Sequence, residues 1–75
     1  MPFVNVRTAK GLLTESRKHE LCTRLTDLIV ELEGRGDPSF RQYVLVLIEE
    51  HEAENWNVAG NQLTPEMIRE LASHA

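Results

Sequence analysis

The sequence predicts an α+β fold: a β-α-β unit, then a short hairpin and a tail helix, with a sheet that is completed by dimerisation. Three observations lead to this prediction. Residues 3–9 alternate in polarity with period two, residues 14–33 follow the helical period, and residues 43–48 are apolar without alternation. A chain of 75 residues has room for one domain, which we expect to span residues 1–75.

The first strand is predicted over residues 3–9, where β-branched residues alternate with polar ones. Since successive side chains of a strand point to opposite faces, this pattern indicates one buried face and one face in contact with water. Gly11 ends the run.

The helix of the unit is predicted from Thr14, a favourable N-cap, to about Glu33. Glu15 is placed to interact with the positive end of the helix dipole, and Gly34 is a plausible stop before a turn at residues 36–38. The apolar stripe of this helix consists of Leu21, Leu25, Leu28 and Leu32.

The second strand is predicted over residues 43–48, and it is apolar on both sides. A strand of this kind is covered on both faces, and the two strands with their crossover helix form a right-handed parallel unit. One helix covers one face of such a sheet. We therefore expect a second copy of the chain to cover the other.

The C-terminal third predicts two short elements. Residues 55–61 are rich in turn formers around one aromatic residue and predict a short hairpin or an ordered loop. Thr64 followed by Pro65 is a helix-start signal, and Met67, Ile68 and Leu71 give the tail helix an apolar side.

Size and cysteine content also favour assembly. The core of a domain this small rarely contributes more than about 3–5 kcal/mol, so a disulfide, a metal or a partner subunit is expected to add stability. Cys22 is the single cysteine, which excludes internal disulfides and indicates a reducing compartment. No zinc-type spacing of Cys and His occurs, so subunit assembly is the source of stability that remains.

Charge and hydropathy limit the possible partners. The net charge is −4, and residues 49–75 carry one Lys or Arg against six Asp or Glu. An acidic surface repels phosphate groups, so we expect no nucleic acid partner. The sequence has neither an apolar run long enough for a membrane span nor the form of a signal peptide, which predicts a cytoplasmic protein with no membrane partner.

Pro2 is the candidate catalytic residue. A small second residue permits removal of Met1, and this removal would leave proline as the amino terminus. A free N-terminal proline is a secondary amine, and ordinary α-amino groups have a pKa near 7.7–8.0. Burial in an apolar pocket lowers such a pKa toward neutrality, where a general base works best.

Several features together resemble the 4-oxalocrotonate tautomerase family over about residues 2–63. The features are a strand that starts at Pro2, the helix entry at residues 11–14, Thr26 and Asp27 within the helix, Gly34 at its end, the apolar strand that ends at residues 48–50, and the segment 55–60.

The resemblance implies a cofactor-independent isomerase without a metal site. Pro2 would act as the general base and move a proton between oxygen and carbon of an enol or dienol carboxylic acid. The subunits would form a homodimer or a trimer of dimers. Trp56 matches the aromatic position that lines the family's site and excludes water from it, although a hairpin residue that anchors a subunit contact is an equally good interpretation.

Two arginines of the family pattern are missing. One falls at Leu12 or Leu13, before the helix, and the other at Leu45, in the second strand. Arg41, which we expect on the same side of the strand as Leu45, is one candidate for binding the substrate in their place. The further candidates are Arg7, Lys10 and Arg35. The missing arginines predict a preference for less charged substrates.

Other interpretations remain open. The same pocket can position water for a Pro2-dependent hydration of an unsaturated acid. A catalytically silent oligomeric binding or scaffold protein on the same fold is the alternative outside enzymology, and retention of Met1 would favour it. The acidic run at residues 49–54 is expected to be a solvated loop and not a metal site.

Overall fold

The computed structural model describes residues 1–74 and shows the expected α+β architecture. The elements are strand β1 (Phe3–Ala9), helix α1 (Glu15–Leu32), a 3-10 helix (Pro38–Tyr43), strand β2 (Leu45–His51), a second 3-10 helix (Ala53–Asn55), strands β3 (Asn57–Val58) and β4 (Asn61–Gln62), and helix α2 (Pro65–Ser73). Within these residues, no helix combines the length and the apolar character that a membrane crossing requires.

β1 and β2 are parallel neighbours, which confirms the β-α-β unit. Phe3 lies opposite Leu45 at one end of the pair, and Ala9 lies opposite His51 at the other. The Leu45 N–H donates to the carbonyl oxygen of Pro2 at 3.1 Å, so the pairing begins at the residue before β1. The hairpin β3–β4 and the helix α2 follow, as predicted.

Helix α1 begins where the sequence predicts, because the Thr14 hydroxyl accepts a hydrogen bond from the Arg17 N–H at 3.2 Å. At the other end Gly34 is needed for a reason that we did not expect. A Cβ on Gly34 would lie 2.6 Å from Cγ of Phe40, so a glycine is required for the close approach of that ring. The left-handed conformations fall on Arg35 and Gly36 instead, with φ of 53° and 79°.

The second strand was placed two residues too early. Tyr43 belongs to the first 3-10 helix, and β2 runs from Leu45 to His51. The 3-10 helix begins at Pro38, where the Asp37 carboxylate accepts a hydrogen bond from the Ser39 N–H at 3.0 Å. This bond, with a second one from the Ser39 hydroxyl, lowers the pKa of Asp37 below its ordinary value. An Asp-Pro pair is a helix-start signal, so this helix was present in the sequence pattern.

Helix α1 covers one face of the β1–β2 sheet. The residues on that face are half-buried: Val4, Val6, Val46 and Ile48. Lys18 of α1 forms an ion pair with Glu50, which places the Glu50 side chain on the same face. The Glu50 carboxylate, with a smaller contribution from Glu15, raises the pKa of Lys18 above its ordinary value. This pair therefore stabilises the folded state at physiological pH, and that stabilisation is lost as the pH rises through the pKa of Lys18 in the folded protein.

The other face of the sheet is largely open. Phe3, Leu45 and Leu47 alternate onto this face, and their side chains are 61%, 53% and 45% exposed. Only its far end is covered, where Ala9 is buried against Ala53 and Ile68 from the C-terminal segment. We call the exposed surface around Phe3, Leu45 and Leu47 the open face.

The subunit has little core of its own. Ala9, Ala53 and Ile68 are the buried hydrophobic residues within residues 1–74. The stripe of α1 is covered only in part, since Leu28 and Leu32 are 47% and 69% exposed. The radius of gyration is 15.2 Å, whereas a compact chain of this length has a value of about 11 Å. These features predict that the chain is stabilised by contact with further copies.

We expect native mass spectrometry at micromolar concentration to show a dimer or a multiple of a dimer. The physical reason is the open face, because an apolar strand surface in water gains free energy when a second copy covers it. Leu47→Lys places a charge on this face and should shift the distribution toward monomer. A folded wild-type monomer at this concentration would contradict the interpretation.

Gly34→Ala should lower the free energy of unfolding by about 1–3 kcal/mol, since the added methyl group collides with the Phe40 ring. Glu31→Ala on the exposed surface of α1 is the control and should change it by less than about 0.5 kcal/mol. Chemical denaturation of both variants tests the prediction. Equal midpoints for the two variants would show that Phe40 moves aside without cost.

Candidate active site

Pro2 lies at the entrance of β1 and is half-buried. Its carbonyl oxygen is held by the Leu45 N–H, and its neighbours Phe3 and Leu45 present apolar, exposed side chains. With Met1 attached, the Pro2 nitrogen is a tertiary amide without a proton or basic lone pair. Removal of Met1 would place a secondary amine at this apolar edge of the sheet.

Trp56 lies at the opposite end of the sheet. Its indole N–H donates to the carbonyl oxygen of His51 at 3.2 Å, and its ring meets the His51 ring edge to face at 6.3 Å. One side of the ring packs against the buried cluster of Ala9, Ala53 and Ile68. Because His51 is on the side of the open face, Trp56 stands at the border of the surface that a second copy would cover.

The hairpin fixes Trp56 in this place. Ala59 and Gly60, between β3 and β4, both have positive φ, 52° and 82°, which is the conformation of a tight two-residue hairpin turn. The chain returns to Trp56, whose carbonyl oxygen accepts a hydrogen bond from the Leu63 N–H at 2.9 Å. The segment was predicted as a hairpin or an ordered loop, and the hairpin is what forms.

Pro2 and Trp56 do not meet within one subunit. Pro2 is hydrogen-bonded to Leu45 at one end of β2, and Trp56 is hydrogen-bonded to His51 at the other end. Leu45 and His51 are six steps apart along the strand, a distance of about 20 Å. A single site that includes both residues therefore requires two copies of the chain.

Two of the predicted basic candidates lie on the Pro2 side. Arg41 is in the 3-10 helix before β2, not on the strand as we expected, and its guanidinium forms an ion pair with Asp27 of α1 at 2.5 Å. Arg35 occupies the turn after α1. Neither residue shares the strand face of Leu45.

The other two candidates lie nearer Trp56. The Lys10 N–H donates to the carbonyl oxygen of His51 at 2.9 Å, which is the same oxygen that accepts from the Trp56 indole. The Lys10 ammonium group contacts Glu52 at 3.2 Å. Arg7 lies on the open face and donates to the side-chain oxygen of Asn5 at 3.1 Å. The structure therefore places the backbone of Lys10, and not Arg35 or Arg41, next to the tryptophan.

A cleft of about 500 Å³ opens beside this end of the sheet, between the end of β1, the second 3-10 helix and α2. The residues that give it charge or shape are Lys10, Glu52, Glu54, Thr64, Ile68 and Arg69. Arg69 was not among the site residues predicted from the sequence. One signal pointed to it, since Arg69 is the single Lys or Arg at positions 49–75, which carry six Asp or Glu.

The positions of the missing arginines differ in burial. Leu12 and Leu13 are both half-buried, and Leu12 packs against the buried cluster beneath α2, whereas Leu45 is exposed on the open face. The acidic run is also not the loop that we expected. Glu49, Glu50 and His51 belong to β2, and consecutive side chains of a strand point to opposite faces.

A comparison with protein families matches residues 2–65 to the model described as "Tautomerase enzyme". Among curated proteins, the chain is 34% identical over 64 residues to Probable tautomerase K2 of Dickeya dadantii (strain 3937). This match covers 85% of the chain and 90% of that protein.

Solved structures also match this chain. The crystal structure of YwhB, a homologue of 4-oxalocrotonate tautomerase, matches with a TM-score of 0.71 and 28% identity over 85% of this chain and 97% of that one. A structure from an analysis of trans-3-chloroacrylic acid dehalogenase activity matches with a TM-score of 0.66 and 27% identity over 84% and 100% of the respective chains.

Proposed function

The chain belongs to the tautomerase family, and we propose that it is a cofactor-independent keto-enol tautomerase in which Pro2 is the general base. The observation that carries this proposal is the position of Pro2. The family match starts at residue 2, and Pro2 stands at the entrance of β1 beside the apolar side chains of Phe3 and Leu45.

The amine of Pro2 is suited to proton transfer once Met1 is removed. The neutral nitrogen takes the proton from the enol hydroxyl group, and the protonated nitrogen returns a proton to the α- or γ-carbon as the carbonyl forms. Coverage of Phe3 and Leu45 by a second copy removes water from the amine and lowers its pKa toward neutrality. A base with such a pKa combines the correct protonation state with a sufficient driving force.

The complete site is proposed to lie between two copies of the chain. Pairing about a two-fold axis with the open faces antiparallel brings the Pro2 end of one copy to the Trp56 end of the other. The base then comes from one subunit, while the aromatic wall and the Lys10 ammonium group come from the second. Water is excluded because the open face of each subunit covers the other.

The substrate is proposed to be a small enol or unsaturated acid with one carboxylate. The leucines at positions 12, 13 and 45 offer no hydrogen bond to a second carboxylate, which would lose water on binding. One structural neighbour was studied for activity on trans-3-chloroacrylic acid, an unsaturated compound with one carboxylate. Arg41 pairs with Asp27 of α1, and Arg35 lies in the turn after α1. Because neither lies at the Trp56 end of the sheet, both are weaker candidates than Lys10 for contacting the substrate beside the tryptophan.

The same neighbour supports a second candidate function. If a water molecule takes the place of the enol hydroxyl group, Pro2 can assist the addition of water to an unsaturated acid. A catalytically silent binding or scaffold protein is the third possibility, and a chain that retains Met1 in the cell would be such a protein.

The Met1-free protein should ketonise a simple enol such as phenylenolpyruvate. Pro2→Ala should lower the rate by about a hundredfold or more, which is the low end of the range that one positioned base contributes. The matched control is the wild-type chain with Met1 retained, verified by intact mass. This chain keeps the fold and the proline ring, but its Pro2 nitrogen is an amide and not a secondary amine. It should therefore be as slow as Pro2→Ala. Equal rates for Pro2→Ala and the Met1-free wild type would exclude Pro2 from the mechanism.

The Met1-free enzyme should prefer phenylenolpyruvate over the dicarboxylate 2-hydroxymuconate. An unpaired polar group buried against leucine costs about 1–3 kcal/mol, which corresponds to an affinity about five- to a hundredfold lower. The measurement is kcat/KM for both compounds on one preparation. A preference for the dicarboxylate would mean that a basic residue pairs with its second carboxylate.

A further inference from the structure

We propose that Arg69 of α2 and Lys10 together bind the carboxylate of the ligand, in the cleft beside Trp56. The inference rests on the proposed function for the kind of ligand, a small monocarboxylate. It assigns a role to α2, most of which lies beyond the segment that matches the family model.

The fold holds Arg69 at the cleft through its neighbour Ile68. Ile68 is 4% exposed, and a Cβ on Gly11 would lie 3.1 Å from its Cγ2 atom, so α2 is packed tightly against the loop after β1. The Thr64 hydroxyl caps the helix by accepting from the Met67 N–H at 3.2 Å. With Ile68 fixed in the core, the next residue of the helix projects along the edge of the cleft that Lys10 also lines.

Both cations are free to exchange partners. Arg69 contacts Glu66 at 3.4 Å with both side chains at least 70% exposed, and Lys10 contacts Glu52 with both more than half exposed. Exposed pairs of this kind contribute little to the stability of the fold, because water screens both charges. A carboxylate that enters the cleft therefore replaces these contacts at little cost and gains two cationic partners.

The charges of the cleft restrict the ligand to one negative charge. Lys10 and Arg69 are balanced by Glu52 and Glu54, which line the same cleft. In the proposed site a single carboxylate contacts the two cations, whereas a second carboxylate would approach the glutamates that line the same cleft. This arrangement favours monocarboxylates independently of the leucines at positions 12, 13 and 45.

Trp56 provides the means to detect binding. It is the single tryptophan of the chain, and it packs against Ala53 and Ile68, which line the cleft. Titration with 3-phenylpropionate, a monocarboxylate that cannot tautomerise, should change its fluorescence and give a Kd. The change requires no turnover, so binding is measured separately from catalysis.

Arg69→Gln should weaken this binding about tenfold, the effect of one hydrogen bond between charged groups, with an unchanged melting temperature. Arg69→Lys should retain part of the affinity, and Glu54→Gln should increase it. The matched control is Arg24→Gln, because Arg24 is an exposed helix residue that is ion-paired with Glu20 on α1, away from the cleft. This variant should bind as the wild type does.

The outcomes separate this inference from the proposed function. If the wild type binds and Arg69→Gln binds weakly while no tautomerase activity is found, the cleft assignment stands and the proposed function fails. If Arg69→Gln and Arg24→Gln bind with the same Kd, or if the wild type shows no binding at millimolar ligand, the assignment is wrong.

Discussion

The packing of the two-stranded sheet determines the rest of the structure. Helix α1 covers one face, and the Lys18–Glu50 ion pair ties the helix to β2 on that side. Within residues 1–74, no comparable element covers the opposite face, and the side chains of Phe3 and Leu47 on that face remain exposed. Because so few residues are buried, we expect the subunit to gain stability when another copy covers this face.

The same constraint explains how the candidate site is divided. The C-terminal segment covers only the His51 end of the open face, and it brings Trp56, Lys10 and Arg69 together there. Pro2 is left at the other end, about 20 Å away along β2. In the proposed assembly, burial of the open face joins the two halves of the site, and stability and catalysis would then depend on the same contact.

Much of the fold was predictable because local patterns encode it. The alternation in β1 and the caps at Thr14 and Thr64 placed three elements within a residue or two. The start of β2 was not, since the apolar residue Tyr43 satisfies a strand pattern while the cap at Asp37 imposes a 3-10 helix. Arg69 was missed because its proximity to Lys10 depends on tertiary packing, which spacing along the chain does not encode.

The most direct test of a site shared between subunits is complementation between two defective chains. Pro2→Ala and Trp56→Ala, each prepared without Met1, are mixed in equal amounts, unfolded, refolded together and assayed on phenylenolpyruvate. Random pairing should restore about one quarter of the wild-type activity, because half of the dimers are mixed and each of these has one intact site. If the mixture is no more active than the average of the two variants, although mass spectrometry shows mixed dimers, Pro2 and Trp56 do not act together across the interface.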